Sequence, residues 1–165
     1  MQIFIAQTID GYIAGPDDSL DHLTPFNDPD FGYDAFIATV DSVVLGRKTF
    51  DVIYPDHGWT YPSHLPGCVL TSRPLPDDVP DNVIGTADID RVAAEYSNAF
   101  VDGGAQVIRT FCDRNLIREA RIFTLPILLG DGTQLFASGA ATQQSWTLID
   151  TRRFPCGTVL THYKI

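Results

Sequence analysis

Phe100-Val101-Asp102-Gly103-Gly104-Ala105-Gln106-Val107-Ile108 places a pair of glycines where an apolar run gives way to helical spacing. A strand-to-helix turn of this kind lets a phosphate approach the main chain, and the helix start adds its partial positive charge. The same residues would also suit a tight turn with no ligand. Val43-Val44-Leu45-Gly46-Arg47-Lys48-Thr49-Phe50 ends a second apolar run in glycine, followed by two cations and a hydroxyl. Arginine grips phosphate through parallel hydrogen bonds, although a solvated helix start pairing with Asp51 would use the same residues. Val69-Leu70-Thr71-Ser72-Arg73-Pro74 repeats the order of strand, hydroxyls and arginine. Two such strand ends side by side would frame one anion pocket. The Gly-x-Gly-x-x-Gly fingerprint of a Rossmann fold is missing. Near the start, Ile3-Phe4-Ile5-Ala6-Gln7-Thr8-Ile9-Asp10-Gly11-Tyr12-Ile13-Ala14-Gly15 reads as a strand and an Asp-Gly turn. Small Ala6 and Ala14 would let a flat ring lie against the backbone, and Asp10 reads as a turn residue or as a catalytic acid.

These residues need a scaffold, and the hydropathy pattern supplies one. Short apolar runs at 43–45, 68–70, 99–101 and 122–125 have the pattern of strands covered on both faces. Helical spacing at 33–40, 89–96 and 106–114 alternates with them, as in a layered α/β domain with mostly parallel pairing. The tail differs: 145–151 and 159–164 alternate apolar and polar residues around Phe154-Pro155-Cys156-Gly157, the pattern of an antiparallel hairpin. Segments 16–30, 54–67 and 74–85 are rich in Pro, Asp and Gly and read as binding loops. Nothing marks a domain boundary, so residues 1–165 are expected to form one domain.

Composition narrows the function classes. A net charge of −10 disfavours nucleic acid, whose phosphates require a basic footprint. Cys68, Cys112 and Cys156 are widely spaced, and His22, His57, His64 and His162 show no paired spacing, so neither a disulfide framework nor a metal is expected. No apolar run is long enough to span a bilayer, and Met1 to Ala6 lacks a basic leader, so a cytoplasmic location is expected.

Thr8-x-Asp10-Gly11-x-Ile13-Ala14, Val44-Leu45-Gly46-Arg47-x-Thr49, Leu70-Thr71-Ser72-Arg73, Val101-x-Gly103-Gly104-Ala105 and Pro126-Ile127-Leu128-Leu129-Gly130-Asp131-Gly132-x-x-Leu135-Phe136 occur in that order. Together they resemble the dihydrofolate-reductase superfamily, and more closely the reductase half of the riboflavin-biosynthesis deaminase/reductases. The zinc deaminase signature of that bifunctional family is missing. The resemblance implies a three-layer α/β/α fold with a mixed, mostly parallel sheet and an antiparallel C-terminal hairpin, a homodimer, and NADPH as cofactor. Gly46, Arg47, Lys48 and Thr49 with Leu70, Thr71, Ser72 and Arg73 would hold the adenosine side and its 2'-phosphate. Gly103, Gly104, Ala105, Gln106 and Val107 would cradle the pyrophosphate, and Ala6 and Ala14 would flank the nicotinamide. Thr8, Asp10 and the Gly130-Asp131-Gly132 loop would face the substrate. Asp10, then Asp30, is the candidate proton source, on the expectation that a carboxyl beside an apolar ring has a raised pKa. Asp30, in the Asp28-Pro29-Asp30 loop, also resembles the pterin-binding carboxylate of folate reductases, with Thr124 as its supporting hydroxyl; helix capping is its other reading. The expected activity is NADPH-dependent reduction of a C=N or C=O in a small substrate, as in 5-amino-6-(5-phosphoribosylamino)uracil reductase. The alternatives are dihydrofolate reductase proper and a non-catalytic NADPH-binding module.

Overall fold

The computed structural model describes residues 1–26, 30–136 and 143–165; Asp28 and Pro29 lie outside them. In chain order the elements are β1 (Gln2–Thr8), β2 (Tyr12–Ala14), α1 (Tyr33–Ile37), β3 (Ser42–Gly46), α2 (Arg47–His57), β4 (Gly67–Leu70), β5 (Val83–Thr86), α3 (Ile89–Glu95), β6 (Ala99–Gly103), α4 (Ala105–Asp113), β7 (Glu119–Leu125), β8 (Thr133–Gln134), β9 (Thr147–Arg153) and β10 (Val159–Lys164). Two 3-10 turns, Pro16–Asp18 and Asp21–Phe26, occupy the segment between β2 and α1.

Eight strands form one sheet in the order β5-β4-β3-β6-β1-β7-β10-β9, and β2 pairs with β8 in a small second sheet. All pairs from β5 to β7 are parallel, while β10 runs antiparallel to both β7 and β9. This is the dihydrofolate-reductase-like α/β fold with its mixed, mostly parallel sheet. The apolar runs become central strands because helices cover both faces. Val92 of α3 with Ile108 and Phe111 of α4 packs on Ile3, Val44, Val101 and Ala120. Phe36 of α1 and Phe50 of α2 pack on the opposite face with Val43, Leu45, Val69 and Phe100. Each large apolar side chain so buried contributes about 1.5–3 kcal/mol.

Two segments that read as loops contain regular structure. Helix α2 continues to His57, through Pro55 in its last turn, where few hydrogen bonds remain for a proline to break. Strand β5 pairs parallel with β4, Val83 opposite Gly67. At four residues on the sheet edge it is too short for its period to stand out among the neighbouring prolines. Conversely, α1 ends at Ile37, short of the helix read over 33–40, and β9 continues to Arg153 beyond the strand read over 145–151.

Candidate active site

The ends of β3 and β6 lie side by side, with Leu45 opposite Gly103, and each leads directly into a helix. Gly46 caps α2 and Gly104 caps α4; neither cap makes a side-chain hydrogen bond, and neither helix has an acidic residue in its first turn. Two helix starts whose own first turns hold no acidic residue leave main-chain N–H groups and partial positive charge for an anion. The packing between them is close. A Cβ on Gly46 would lie 2.8 Å from Val107 Cγ2 and 3.6 Å from Gly104 N, and one on Gly104 would lie 3.2 Å from Thr49 Oγ1. Gly46, Thr49, Gly103, Gly104 and Val107, from two separate motifs, therefore converge on one cradle. Ala105 and Gln106 occupy the first turn of α4 beside it.

Two arginines flank the cradle's outer end. Arg47 Nε meets Asp51 Oδ1 at 2.6 Å and Arg73 Nη2 meets Asp51 Oδ2 at 2.7 Å, so one carboxylate holds both guanidinium groups. Arg47 Nη1 also donates to the Pro74 carbonyl at 2.9 Å. Burial alone would raise the Asp51 pKa, but the hydrogen bonds and charges of the two arginines hold it below the usual range. Thr71 Oγ1 accepts from Arg73 N at 3.0 Å and so shapes the turn around Ser72, while Leu70 packs into the core. Lys48 does not join this group; its Nζ pairs with Asp18 Oδ1 at 2.6 Å. Consecutive residues on a helix start point about 100° apart, which separates Lys48 from Arg47.

Asp10 departs from the sequence reading. Its carboxylate accepts from the Thr8 hydroxyl, from Leu129 N (3.1 and 3.2 Å) and from Gly130 N (2.7 Å). The Thr8 hydrogen bond first, and then the two amides, lower its pKa to about 2, outweighing the opposing effect of burial. The expected raised pKa is thus reversed, because three donors favour the charged form. Thr8 is fully buried, and its hydroxyl also accepts from Tyr12 N at 3.0 Å. Asp10 and Thr8 therefore tie the β1–β2 turn to the Gly130-Asp131-Gly132 loop, where Asp131 Oδ1 accepts from Gly132 N and Gly132 lies against Ala14. A carboxylate with a depressed folded-state pKa stabilises the fold above its ordinary value of 3.8, and that contribution is lost as pH falls through about 2. Asp10→Asn is accordingly expected to lower the melting temperature at pH 7. The gap from the wild type should narrow between about pH 4 and pH 2, which thermal unfolding followed by circular dichroism measures.

Ala6 lines an apolar cavity of about 160 Å³ together with Phe4, Leu23, Phe26, Phe31, Phe123 and Leu125. Strand alternation places Thr124 on the face opposite Phe123 and Leu125. It therefore does not support Asp30 at this cavity. Asp30 is exposed, and its Oδ1 accepts from Gly32 N at 2.9 Å, which closes the turn ahead of α1; the N-cap of α1 is Gly32, with no side-chain capping bond.

One group was not singled out by sequence reasoning. Asp102 Oδ2 accepts from the Tyr61 hydroxyl at 2.5 Å. Burial raises the Asp102 pKa, against the lowering effect of the Tyr61 hydrogen bond. Burial, followed by the charges of Asp102 and Asp34, raises the Tyr33 pKa to about 12. The available signal was a carboxylate two residues after Phe100, on the same face of an otherwise apolar strand. Tyr61 gave none, since only folding brings it 41 positions along the chain to Asp102.

The cradle, the paired arginines and the apolar cavity lie on a fold that comparison assigns to a reductase class. The chain is similar to the dihydrofolate reductase of Enterococcus faecalis in complex with NADP(H) and RAB-propyl (TM-score 0.67, 17% identity, 99% of this chain and 94% of that one), which shows the shared fold. A protein of Shewanella sp. PV-4, provisionally named as a riboflavin biosynthesis protein, matches with TM-score 0.86 and 29% identity over 99% of this chain and 97% of its own. The RibD C-terminal domain model matches residues 92–160. The uncharacterized protein YwjB of Bacillus subtilis is 33% identical over 145 residues, 81% of this chain and 80% of the relative. The chain belongs to the RibD C-terminal (reductase) domain family.

Proposed function

We propose that this protein is an NADPH-dependent reductase of a small heterocycle, acting on a C=N or C=O. The observation that carries this reading is the convergence of Gly46, Thr49, Gly103, Gly104 and Val107 into a cradle that any Cβ would narrow, with Arg47 and Arg73 at its outer end. A dinucleotide fits these residues. Main-chain amides at the start of α4 hold the pyrophosphate, the two arginines hold the 2'-phosphate, and Ala6 and Ala14 leave room for the nicotinamide. When bound, the reduced nicotinamide supplies the electrons of the reduction. The protein aligns and desolvates the substrate. The apolar cavity of about 160 Å³ beside Ala6 suits a small flat ring such as a pyrimidine. The placement of Thr124 and Asp30 points against dihydrofolate reductase proper. A non-catalytic module would bind NADPH without turnover.

Calorimetric titration tests the cofactor site. Arg47→Ala and Arg73→Ala are each expected to weaken NADPH by about 10- to 100-fold, or about 1.4–2.8 kcal/mol. NADH should weaken by less than about threefold, because it lacks the phosphate that these side chains would hold. Equal losses for both cofactors would refute the 2'-phosphate assignment.

A further inference from the structure

Every side chain that lines the cavity beside Ala6 is apolar, from Phe4 on β1 to Leu125 at the end of β7. Leu23 and Phe26 come to it from the second 3-10 turn between β2 and α1, and Phe31 from the residues just ahead of α1. The stretch that supplies these three, residues 16–31, carries Asp17, Asp18, Asp21, Asp28 and Asp30 and no Lys or Arg. Asp21 and Asp30 are exposed. Asp21 stands two residues from Leu23 and Asp30 one from Phe31, so their main-chain positions lie within about 8 Å of those of two lining residues. Burial lowers the pKa of His22, the stretch's one basic side chain, against the opposing charge of Asp21, which leaves it neutral at pH 7. Four residues past Ala6, Asp10 keeps its charge down to about pH 2.

The cations of this region are placed elsewhere. Arg121 meets Glu119 at 3.3 Å, donates to Gln2 Oε1 at 2.9 Å and lies over the ring of Phe36. Arg152 lies over the ring of Phe154. Neither arginine and neither of these two rings lines the cavity. Arg47 and Arg73 stand at the outer end of the cradle, tied to Asp51. A phosphate needs cationic or amide donors to replace the water it sheds, and exposed like charges repel within about a Debye length. A phosphorylated ligand seated in this cavity would set its ring against carbon and its phosphate among carboxylates.

We propose that the substrate reduced at this site is an uncharged pyrimidine-type ring without a phosphate group, a free base or a nucleoside. The proposal rests on the reductase reading above and narrows it. The apolar cavity takes the ring, and the acidic stretch that supplies Leu23, Phe26 and Phe31 turns away a phosphorylated counterpart.

Two probes that differ only in the phosphate test this: 5-amino-6-(5-phosphoribosylamino)uracil and its dephosphorylated form. In calorimetric titrations of the protein saturated with NADP⁺, the dephosphorylated probe should bind at least about 10-fold tighter in about 0.01 M salt. In about 1 M salt, where the Debye length falls from about 30 Å to about 3 Å, the gap should shrink at least about threefold. In NADPH-oxidation assays, kcat/KM should rank the probes in the same order. Asp21→Lys should narrow the low-salt gap by about threefold or more and leave NADPH affinity within about twofold. Arg152→Ala should leave the gap as it is. If Asp21→Lys does not fold, the salt dependence carries the test. Equal or tighter binding of the phosphorylated probe overturns the proposal, and so does failure of both probes to bind at about 1 mM. A preference for the phosphorylated probe that Arg152→Ala abolishes would overturn it by placing the phosphate on Arg152. Titration of the cofactor alone separates the two readings. A wild type that does not bind NADPH overturns the reductase reading, whereas one that binds NADPH and prefers the phosphorylated probe overturns only the substrate class.

Discussion

Gly104→Val is expected to fold and to lose the dinucleotide. Gly104 has φ −73° and ψ −170°, an extended conformation in which valine is at ease. Its φ and ψ therefore admit a side chain. Its Cβ would sit 3.2 Å from Thr49 Oγ1, and its two methyl groups would fill the space between the starts of α2 and α4. The amides at the start of α4 would stay where they are but become unreachable for a pyrophosphate. NADPH affinity should fall at least about 100-fold, close to 2.7 kcal/mol. The melting temperature of the free protein should move by only a few degrees. Gly104→Ala should fall between valine and the wild type. Calorimetry on the two variants, with circular dichroism as the folding control, measures both effects; undiminished NADPH binding by the valine variant would remove the cradle from the site.

Gly132→Ala should produce the larger loss of stability. Gly132 has φ +135°, and a Cβ there would lie 2.1 Å from the Ala14 carbonyl oxygen and 3.0 Å from Gly15 C. Those atoms are backbone, in and beside a strand paired Ala14 to Thr133, so relief requires breaking the β2–β8 ladder. Positive φ and backbone overlap together should cost about 2–4 kcal/mol. A loss of about 3 kcal/mol in a chain of this size lowers the melting temperature by roughly 6–12 °C. Gly130→Ala is the matched control, since Gly130 has φ +85° but nothing within 4 Å of its Cβ position. It should cost about 1–2 kcal/mol. Similar melting temperatures for the two variants would show that the loop yields and that Gly132 is not held by Ala14.

The layered fold was legible because its signals are local. Val43-Val44-Leu45 and Phe100-Val101 are apolar runs buried on both faces, and the alternating tail announced the β9–β10 hairpin. The glycine pair and the two arginines were legible for the same reason, since a strand that ends in Gly and meets a helix can be recognised without knowing its neighbours. The charge states were harder to read. Asp10 looks alike in the sequence whether it is a proton source or a clamp; the Thr8 hydroxyl together with the amides of Leu129 and Gly130, about 120 residues away, decides for the clamp. Lys48 sits beside Arg47 in the chain, yet helix geometry carries it to Asp18.

By itself, the sequence determined the central strands, the helices between them and the residues at each strand end, because propensity and periodicity act over a few neighbouring positions, and its five ordered motifs carried the resemblance to the family. Only the tertiary structure decided which of those ends meet, that Asp51 holds two arginines at once, and that Asp102 finds Tyr61. Hydrogen bonds and desolvation depend on distances in space, and chain separation does not encode them.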